Sequence, residues 1–516
     1  MTLFGSSVIL TFLAGAGAAF AQVSPSGGSS ANQPAAVTLP ASGRNNQGGS
    51  VGVTEQPTPG TITSVNTLNP ALEVSGPYTG SARSTTALPF NGKLSLADAL
   101  RRGLAYNLGA IGIAENARLT GAQVRIARSA LLPNINSAIN ETVEQVDLAA
   151  LGFRVNSNMP GIRVPTVVGP FNYFDAQVSV SQTLASFTAL NNYRSARATA
   201  RAGQYNLQDA RDLVTLAVGG QYLQVLAAQA RLDAAQAQLT TANAVFHQST
   251  QQHQEGVLGK LSVDQDQVRA LTQQQQMITL RNDLAKQKIT LARLTGLPPN
   301  ADYQLTDSFP FSPAPVASVE DALTQAFHQR ADLKAAQAQM DAAVKALAAA
   351  RAERLPSLDV SGDYQVIGTN PAHSHGAFTV TGSLNMPVWQ GGRIGGDIAQ
   401  AQAVLAQRHA ELEDTRGQVE AQVREVYLDL EAAAGQVEVA RKNVDIAHET
   451  LEMTRARMEA GVVNALEVVQ AQQTVATAQL DLINSVFAHN LAKLNLARAL
   501  GNAPEQLPKL LQAQKP

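Results

Sequence analysis

The sequence predicts a mainly α-helical protein with a small β part, built as two copies of one unit. Motifs that recur in the same order indicate the duplication. Two uninterrupted helical runs, 189–255 and 393–460, are too long for a globular core and indicate long antiparallel helices that pack as a wall or a tube. In each copy a segment with alternating apolar and polar residues predicts a pair of strands, which makes four strands per chain.

The duplication rests on pairs of motifs at matched spacing. The motif LSLADAL at 94–100 corresponds to ASVEDAL at 317–323, which lies 223 residues later. The motif LARLTG at 291–296 corresponds to LARALG at 496–501, only 205 residues later. The first copy therefore contains 18 extra residues between its two motifs. A repeat of this length is far longer than a solenoid unit, so it predicts a duplicated half of one domain rather than an array.

Each copy begins with an alanine-rich helix, at 94–130 and 317–352, which ends at a Leu-Pro pair because proline stops a helix. A hairpin of two strands follows, at about 134–186 and at 356–388, and the extra residues lengthen the loop of the first. Strict period two gives each strand one apolar and one wet face. If the strands span a membrane, the apolar face of the second hairpin meets lipid. Its residues are Leu358, Val360, Tyr364, Val366, Phe378, Val380, Leu384, Met386 and Val388.

Each hairpin leads into one of the two long helices, then into a glycine turn and a second helix, at 262–294 or 466–500. The 67 residues of 189–255 would form a rod of ~100 Å. In the last helix, two apolar rows with heptad spacing lie about 200° apart around the axis. A helix with two apolar flanks packs between two neighbours, as it would in a wall or a tube.

The two ends of the chain differ in composition from its body. Residues 1–21 contain an apolar run and end in Ala-Phe-Ala, which predicts a cleaved signal peptide and a mature start at Gln22. The Ser-, Gly- and Pro-rich segment 22–90 is predicted to be a disordered arm. The remaining predicted segments are the first repeat at 91–300, a connector at 301–316, the second repeat at 317–505 and a loose tail at 506–516.

The composition excludes several classes of function. The chain has no cysteine, which excludes disulfides, cysteine-ligated metal centres, thiol catalysis and a lipid anchor on cysteine. Its net charge of −2 gives no support for nucleic-acid binding. The sequence contains no catalytic motif, and His373 and His375 lack a third metal ligand. We therefore expect a protein that is not an enzyme and that binds no cofactor, metal or nucleic acid.

The predicted strands constrain how the protein could enter a membrane. No segment after the signal peptide has the ~20 consecutive apolar residues of a spanning helix, so insertion would require the strands. Four strands cannot close a barrel, and open strand edges are not tolerated in lipid. Because the smallest bacterial barrels have about 8 strands, at least two copies of the chain would have to share one barrel.

The ordered pattern of helix, hairpin, long helix, glycine turn and helix resembles the TolC-like outer-membrane efflux and secretion family over 91–505. The motifs that carry the resemblance occur in both halves, in the same order and at matched spacing. They are ARSALLP at 127–133 with ARAERLP at 350–356, FTVTGSLNMPVWQGGR at 378–393, and MEAGVVNALEVVQA at 458–471. The resemblance implies a homotrimer whose twelve strands form an outer-membrane barrel in contact with lipid. It implies that a tube of long antiparallel, coiled-coil-like helices (an α-barrel) continues this barrel into the periplasm. It also implies a passive exit duct docked to a periplasmic adaptor and an inner-membrane pump of the resistance-nodulation-division or ABC type.

The same resemblance implies which residues lie at the closed periplasmic end of the duct. The tip residues that would meet the adaptor are Gly256, Val257, Leu258, Gly461, Val462 and Val463. An acidic ring at the gate would use Glu467, whereas Ser262 and Gln470 stand where further acidic residues occur in the best-known member. Glu467 has an alternative role as a solvated residue stabilised by the helix dipole.

Two further functions remain open from the sequence. The first is the exit channel of a type I protein secretion system, which has the same fold but transports proteins. The second is a periplasmic coiled-coil structural protein without a pore, which would have no need for the alternating hairpins. The main prediction is an exit duct for small molecules such as drugs, toxic compounds or metals.

Overall fold

The computed structural model describes residues 50–58, 67–82, 89–152, 165–308, 311–313, 318–460, 462–463 and 465–511. The predicted signal peptide and residues 22–49 of the predicted arm lie outside the described residues. The helices of the first repeat are α1 (Leu96–Tyr106), α2 (Leu108–Ser129), α3 (Phe187–Gln254) and α4 (Lys260–Thr295). Those of the second repeat are α5 (Val319–Gln329), α6 (Ala331–Ala352), α7 (Arg393–Glu459) and α8 (Ala465–Leu500), and α9 (Ala503–Leu511) follows.

The two repeats match in length and in local chemistry. Their helices have 11, 22, 68 and 36 residues in the first repeat and 11, 22, 67 and 36 in the second. Both repeats start at a serine cap. Ser95 Oγ accepts the amide of Asp98 at 3.1 Å, and Ser318 Oγ accepts the amide of Asp321 at the same distance. The predicted internal duplication is confirmed.

Each alanine-rich helix that was predicted as one piece is interrupted at equivalent positions. Asn107 and Arg330 have ψ angles of 130° and 128°, so the first helix stops there and the second starts at once. Asn107 is buried and both ends of its amide are satisfied. Its Oδ1 accepts the amide of Gly109 at 2.9 Å, and its Nδ2 donates to the carbonyl of Tyr78 at 2.7 Å. Because the buried amide of Asn107 is fully hydrogen-bonded, the break at this residue costs little folding free energy.

The strands among the described residues are β1 (Val51–Thr58), β2 (Thr67–Val74), β3 (Lys93–Leu94), β4 (Asn134–Asp147), β5 (Val167–Ala185), β6 (Gln304–Leu305), β7 (Ser357–Gly368) and β8 (Ser374–Asn385). They form three small sheets. Four antiparallel strands make the main sheet in the order β4-β5-β7-β8, so β4 and β8 are its edges, and β1 pairs with β2 and β3 with β6.

The segment predicted as a disordered arm at 22–90 contains ordered structure. β1 and β2 form an antiparallel hairpin in which Val51 pairs with Val74 and Val53 with Leu72. These side chains share one face of the hairpin, and the three valines pack against the main core. The prediction of disorder was wrong for this part because a few apolar side chains suffice when helices already supply the surface they pack on.

The C-terminal segment predicted as a loose tail at 506–516 is also partly ordered. α9 extends to Leu511, and its residues Leu507, Leu510 and Leu511 are buried in the main core. Residues 512–516 lie outside the described residues. The helix was missed because Pro508 interrupts the local pattern, although its leucines at 507, 510 and 511 have helical spacing.

A charged network fastens α3, α6 and α8 to one another. Arg498 of α8 forms an ion pair with Asp209 of α3 at 2.9 Å. Burial alone would lower the pKa of Arg498, but the carboxylates of Asp209, Asp332 and Asp212 raise it above its ordinary value. Asp212 accepts the amide of Ala503 at 2.9 Å, and burial raises the pKa of its carboxyl to about 6. Arg498 therefore attracts three acidic side chains, of which Asp332 is also ion-paired with Arg330.

In the part of the chain that the structure describes, one helix, α3, is long and apolar enough to cross a membrane when judged by length and composition alone. However, 72% of its most apolar stretch is buried inside the protein. That burial is typical of a core helix. Consistent with this, the buried residues Val214, Val218 and Tyr222 of α3 belong to the main hydrophobic core.

Candidate functional site

The turn between α3 and α4 is closed by backbone hydrogen bonds around Gly256. This glycine has a φ of 76°, in the left-handed region that favours glycine. The amide of Val257 donates to the carbonyl of Gln252 at 2.9 Å, and the amide of Leu258 donates to the same oxygen at 3.2 Å. A left-handed glycine with a bond of this span is a Schellman motif. Leu258 is half-buried beneath the turn.

The turn between α7 and α8 closes in the same way. The amide of Val462 donates to the carbonyl of Arg457 at 2.9 Å, which is the bond equivalent to that of Val257 in the first repeat. Val463 is half-buried. Gly461 lies outside the described residues. The described part of this turn therefore repeats the geometry of the first.

Apolar side chains project into solvent at both turns. Val257 and Leu261 in the first repeat, and Val462 and Leu466 at the equivalent positions of the second, are exposed. Exposed apolar side chains are costly unless they are covered by a partner. Their recurrence at two hairpin tips gives the protein a repeated apolar surface at its helical end, which we call the tip surface and define by these four residues.

Two of the three predicted gate residues, Glu467 and Ser262, lie in the first turns of α8 and α4. Glu467 is exposed in the first turn of α8, where the helix dipole favours a carboxylate, and Gln470 is exposed one turn later. Ser262 occupies the position equivalent to Glu467 in α4 and is half-buried, and its amide donates to the carbonyl of Gly259 at 3.1 Å. Glu467 and Gln470 thus share one helix end, and Ser262 lies on the other hairpin.

A polar cluster that the sequence did not predict lies behind the first turn. Asp266 of α4 is buried, accepts a short hydrogen bond from Ser249 of α3, and pairs with Arg269 at 2.9 Å. At the equivalent position of the second repeat, Ala471 is buried in a small apolar cluster with Leu451. The Asp-x-x-Arg spacing in α4 is the sequence pattern that could have predicted the ion pair. The two hairpins are therefore closed by different chemistry near otherwise identical turns.

One face of the main sheet carries apolar side chains on all four strands. The register aligns Ile135 with Val180, Val180 with Gly362, and Tyr364 with Phe378, so the apolar positions of neighbouring strands coincide. Polar side chains interrupt this face, among them Glu141 and Asn172, which are hydrogen-bonded to each other at 3.3 Å. An exposed face with this many apolar side chains marks a surface that is covered by lipid or by protein. Its exposed members are Ile135, Ile139, Val143, Val178, Val180, Leu358, Tyr364, Phe378, Val380 and Leu384.

The predicted apolar set of the second hairpin needs one correction. Met386 and Val388 are exposed, but they lie beyond the end of β8 at Asn385. The alternation continued past the strand because Pro387 interrupts hydrogen bonding without changing the pattern of side chains. The other two members, Val360 and Val366, lie on the apolar face and are half-buried.

The opposite face of the main sheet is polar and acidic. Asp175, Asp359 and Asp363 lie on it, and its four strands contain no lysine or arginine. Asp359 accepts a hydrogen bond from Thr183 at 2.7 Å, which joins β7 to β5. Carboxylates without opposite charges among them attract cations. The sheet therefore has one face suited to lipid and one suited to water and cations.

The chain matches a known family in both of its halves. The family model described as outer membrane efflux protein matches residues 114–297 and 322–502. The outer membrane protein TolC of Vibrio cholerae is 23% identical over 392 residues, which are 74% of this chain and 87% of TolC. The pyoverdine export outer membrane protein OpmQ of Pseudomonas aeruginosa is 25% identical over 398 residues, which are 74% of this chain and 80% of OpmQ.

Solved structures show the same fold. The crystal structure of the outer membrane protein VceC from Vibrio cholerae superposes with a TM-score of 0.66 at 18% identity, covering 79% of this chain and 96% of VceC. The Campylobacter jejuni CmeC outer membrane channel superposes with a TM-score of 0.67 at 17% identity, covering 86% of this chain and 95% of CmeC. The chain belongs to the outer membrane efflux protein family and is an outer-membrane channel of a Gram-negative efflux system.

Proposed function

We propose that three copies of this chain form one duct that passively exports small molecules through the outer membrane. The observation that carries the proposal is the main sheet, which has an exposed apolar face and two open edges, β4 and β8. Open edges in lipid leave backbone groups unpaired, at a cost of several kcal/mol each. Pairing β8 of one chain with β4 of the next removes both edges, and three chains then supply a barrel of twelve strands.

The faces of the sheet support this orientation. The apolar face, with Val380 and Phe378, would meet lipid, and the acidic face, with Asp175 and Asp363, would line the pore. The helices continue from the strands without a break in the chain, since β5 ends at Ala185 and α3 begins at Phe187. The helical tube would therefore extend the pore into the periplasm.

The tip surface supports docking to a periplasmic adaptor, and through it to an inner-membrane pump of the resistance-nodulation-division or ABC type. Photo-crosslinking tests this docking in cells. A benzophenone side chain at Val257 or Val462 should give an adduct with a periplasmic protein that mass spectrometry identifies as an adaptor. The same probe at His373, in the turn between β7 and β8, should give none. Equal adducts at all three positions would contradict the docking.

We propose Glu467 as the gate acid, because three copies around one axis would place three carboxylates at the constricted tip. Closer together than the ~8 Å Debye length of physiological salt, they would repel one another and attract cations. Glu467→Gln should therefore lower the cation selectivity and the divalent-ion block in single-channel recordings, with little change in folding. Ser262→Asp should do the opposite, because it adds a carboxylate at the equivalent tip position.

Unchanged selectivity in both variants would place Glu467 outside the conduction path, as a solvated residue of the first helical turn. Gln470→Glu provides a further comparison, since it adds charge one turn deeper along the same helix. A selectivity change that decreases from position 467 to position 470 would locate the constriction at the first turn.

A further inference from the structure

The contact between the two halves of the chain shows how one unit of this fold packs beside the next. α3 of the first half packs against α6 and α8 of the second. The helices equivalent to α3, α6 and α8 are α7, α2 and α4, in that order. Within the described residues, α7 has no comparable packing against α2 or α4 of its own chain. Each chain therefore carries both sides of this contact a second time, without a partner.

Residues of α3 and α8 are buried, whereas the equivalent residues of α7 and α4 are exposed. A neighbouring helix that is absent from the single chain would produce this difference. Leu494 of α8 is fully buried at 0% exposure, whereas its equivalent Ile289 of α4 is 48% exposed. Leu223 of α3 is 3% exposed, whereas its equivalent Leu428 of α7 is 67% exposed. These pairs have the same place in the fold and similar size, so the difference comes from what covers them.

We call the packing of α3 against α6 and α8 the inner contact. The ion pair across the inner contact also has an exposed counterpart. Arg498 of α8 pairs with Asp209 of α3 at 2.9 Å. The residue equivalent to Arg498 is Arg293 in the last turn of α4, and the residue equivalent to Asp209 is Asp414 of α7. Both are exposed, and they retain the same signs of charge. Asp414 accepts a hydrogen bond from Gln418 of its own helix at 2.6 Å.

We propose that neighbouring chains assemble by repeating this inner contact, with Arg293 of one chain paired to Asp414 of the next. The occupant of the exposed α7 face is thus a second copy of the chain, because its α4 carries the complementary apolar and charged residues at equivalent positions. The contact is head-to-tail, and a contact of this kind generates a ring when the rotation between neighbouring chains closes. The proposal rests on the trimer of the proposed function and adds the residues that build it.

Charge reversal tests the ion pair. Arg293→Glu or Asp414→Arg should lower the fraction of trimer in native mass spectra of the detergent-solubilised protein about fivefold at a fixed concentration. The double variant should restore the wild-type fraction, which a structural effect of either residue alone would not do. Trimers that are unaffected by the single variants, or are not rescued by the double variant, would overturn the pairing.

Disulfide trapping tests the register independently, and the natural absence of cysteine makes the chain suited to it. In the inner contact, a Cβ atom added to Gly219 would lie 3.2 Å from Cδ1 of Leu494, so these two positions face each other. The positions equivalent to them are 424 and 289, which we choose for the cysteine pair. Arg424→Cys with Ile289→Cys should give covalent trimers on non-reducing gels. Arg424→Cys with Leu271→Cys should give none, because position 271 lies ~27 Å along α4.

The two proposals fail in different ways. Wild-type protein that is monomeric in the native mass spectrum would contradict the trimer of the proposed function. A wild-type trimer whose 424–289 cysteine pair does not cross-link would contradict only the repeated contact, and would leave the duct intact with another interface.

Discussion

Replacing Val380 with arginine should prevent stable assembly of the protein in the outer membrane. Val380 lies near the middle of β8, on the apolar face, and is exposed in the single chain. An arginine that faces lipid at the midplane of the membrane costs about 2–4 kcal/mol. A trimer carries the change in all three chains, so the cost arises three times in one barrel. The measurement is the amount of trimer recovered from the outer-membrane fraction relative to wild type.

The matched control is Thr379→Arg, one residue earlier on the same strand. Thr379 lies on the wet face, directly opposite Asp363 of β7, so an arginine there gains a carboxylate partner in water. This variant should assemble at nearly the wild-type level. Equal loss of trimer in both variants would mean that the two faces of β8 are not divided between lipid and water.

Replacing Arg498 with methionine should destabilise the helical part of the protein by about 3 kcal/mol. The change removes the cation beside Asp209 and Asp212 and leaves their carboxylates partly buried without it, whereas Asp332 keeps its ion pair with Arg330. Methionine has a similar length, so packing is largely preserved. The measurement is the urea dependence of the helical circular dichroism signal of the detergent-solubilised protein at neutral pH.

Two further variants separate charge from packing at this position. Arg498→Lys keeps the cation and should recover most of the stability. Adding Asp209→Asn to Arg498→Met removes one of the uncompensated carboxylates, so the double variant should be more stable than Arg498→Met alone. Equal stability of these two would mean that the loss at position 498 is one of packing rather than of charge.

The features that sequence analysis predicted are those with a strong period or a repeated motif. Alternation over 356–388 predicted the strands because a side-chain period of two requires one buried or lipid-facing side. The glycine turns were predictable because Gly256 recurs with its flanking residues 205 positions later. Long helical runs at 189–255 and 393–460 needed no tertiary information, and α3 and α7 match them to within two residues.

The features that were missed depend on contacts between distant segments. The hairpin of β1 and β2 has few apolar residues. Leu72 can pack against α3 only because Gly220 has no side chain in the space that Leu72 occupies. The breaks at Asn107 and Arg330 lie in strongly helical sequence and are stabilised by side chains far along the chain, such as Gln422, whose Oε1 accepts a hydrogen bond from Arg330 at 2.7 Å. Local pattern carries no information about such partners.

Electrical recording from purified protein in a planar lipid bilayer tests most directly the claim that three chains form one duct. We predict stepwise conductance with a preference for cations, because the wet face of the sheet carries Asp175, Asp359 and Asp363 without lysine or arginine, and because Glu467 lies at the tip. Mass measurement of the same sample should give a trimer. A trimer that inserts into the bilayer but conducts no ions above the lipid background at any applied voltage would contradict the claim.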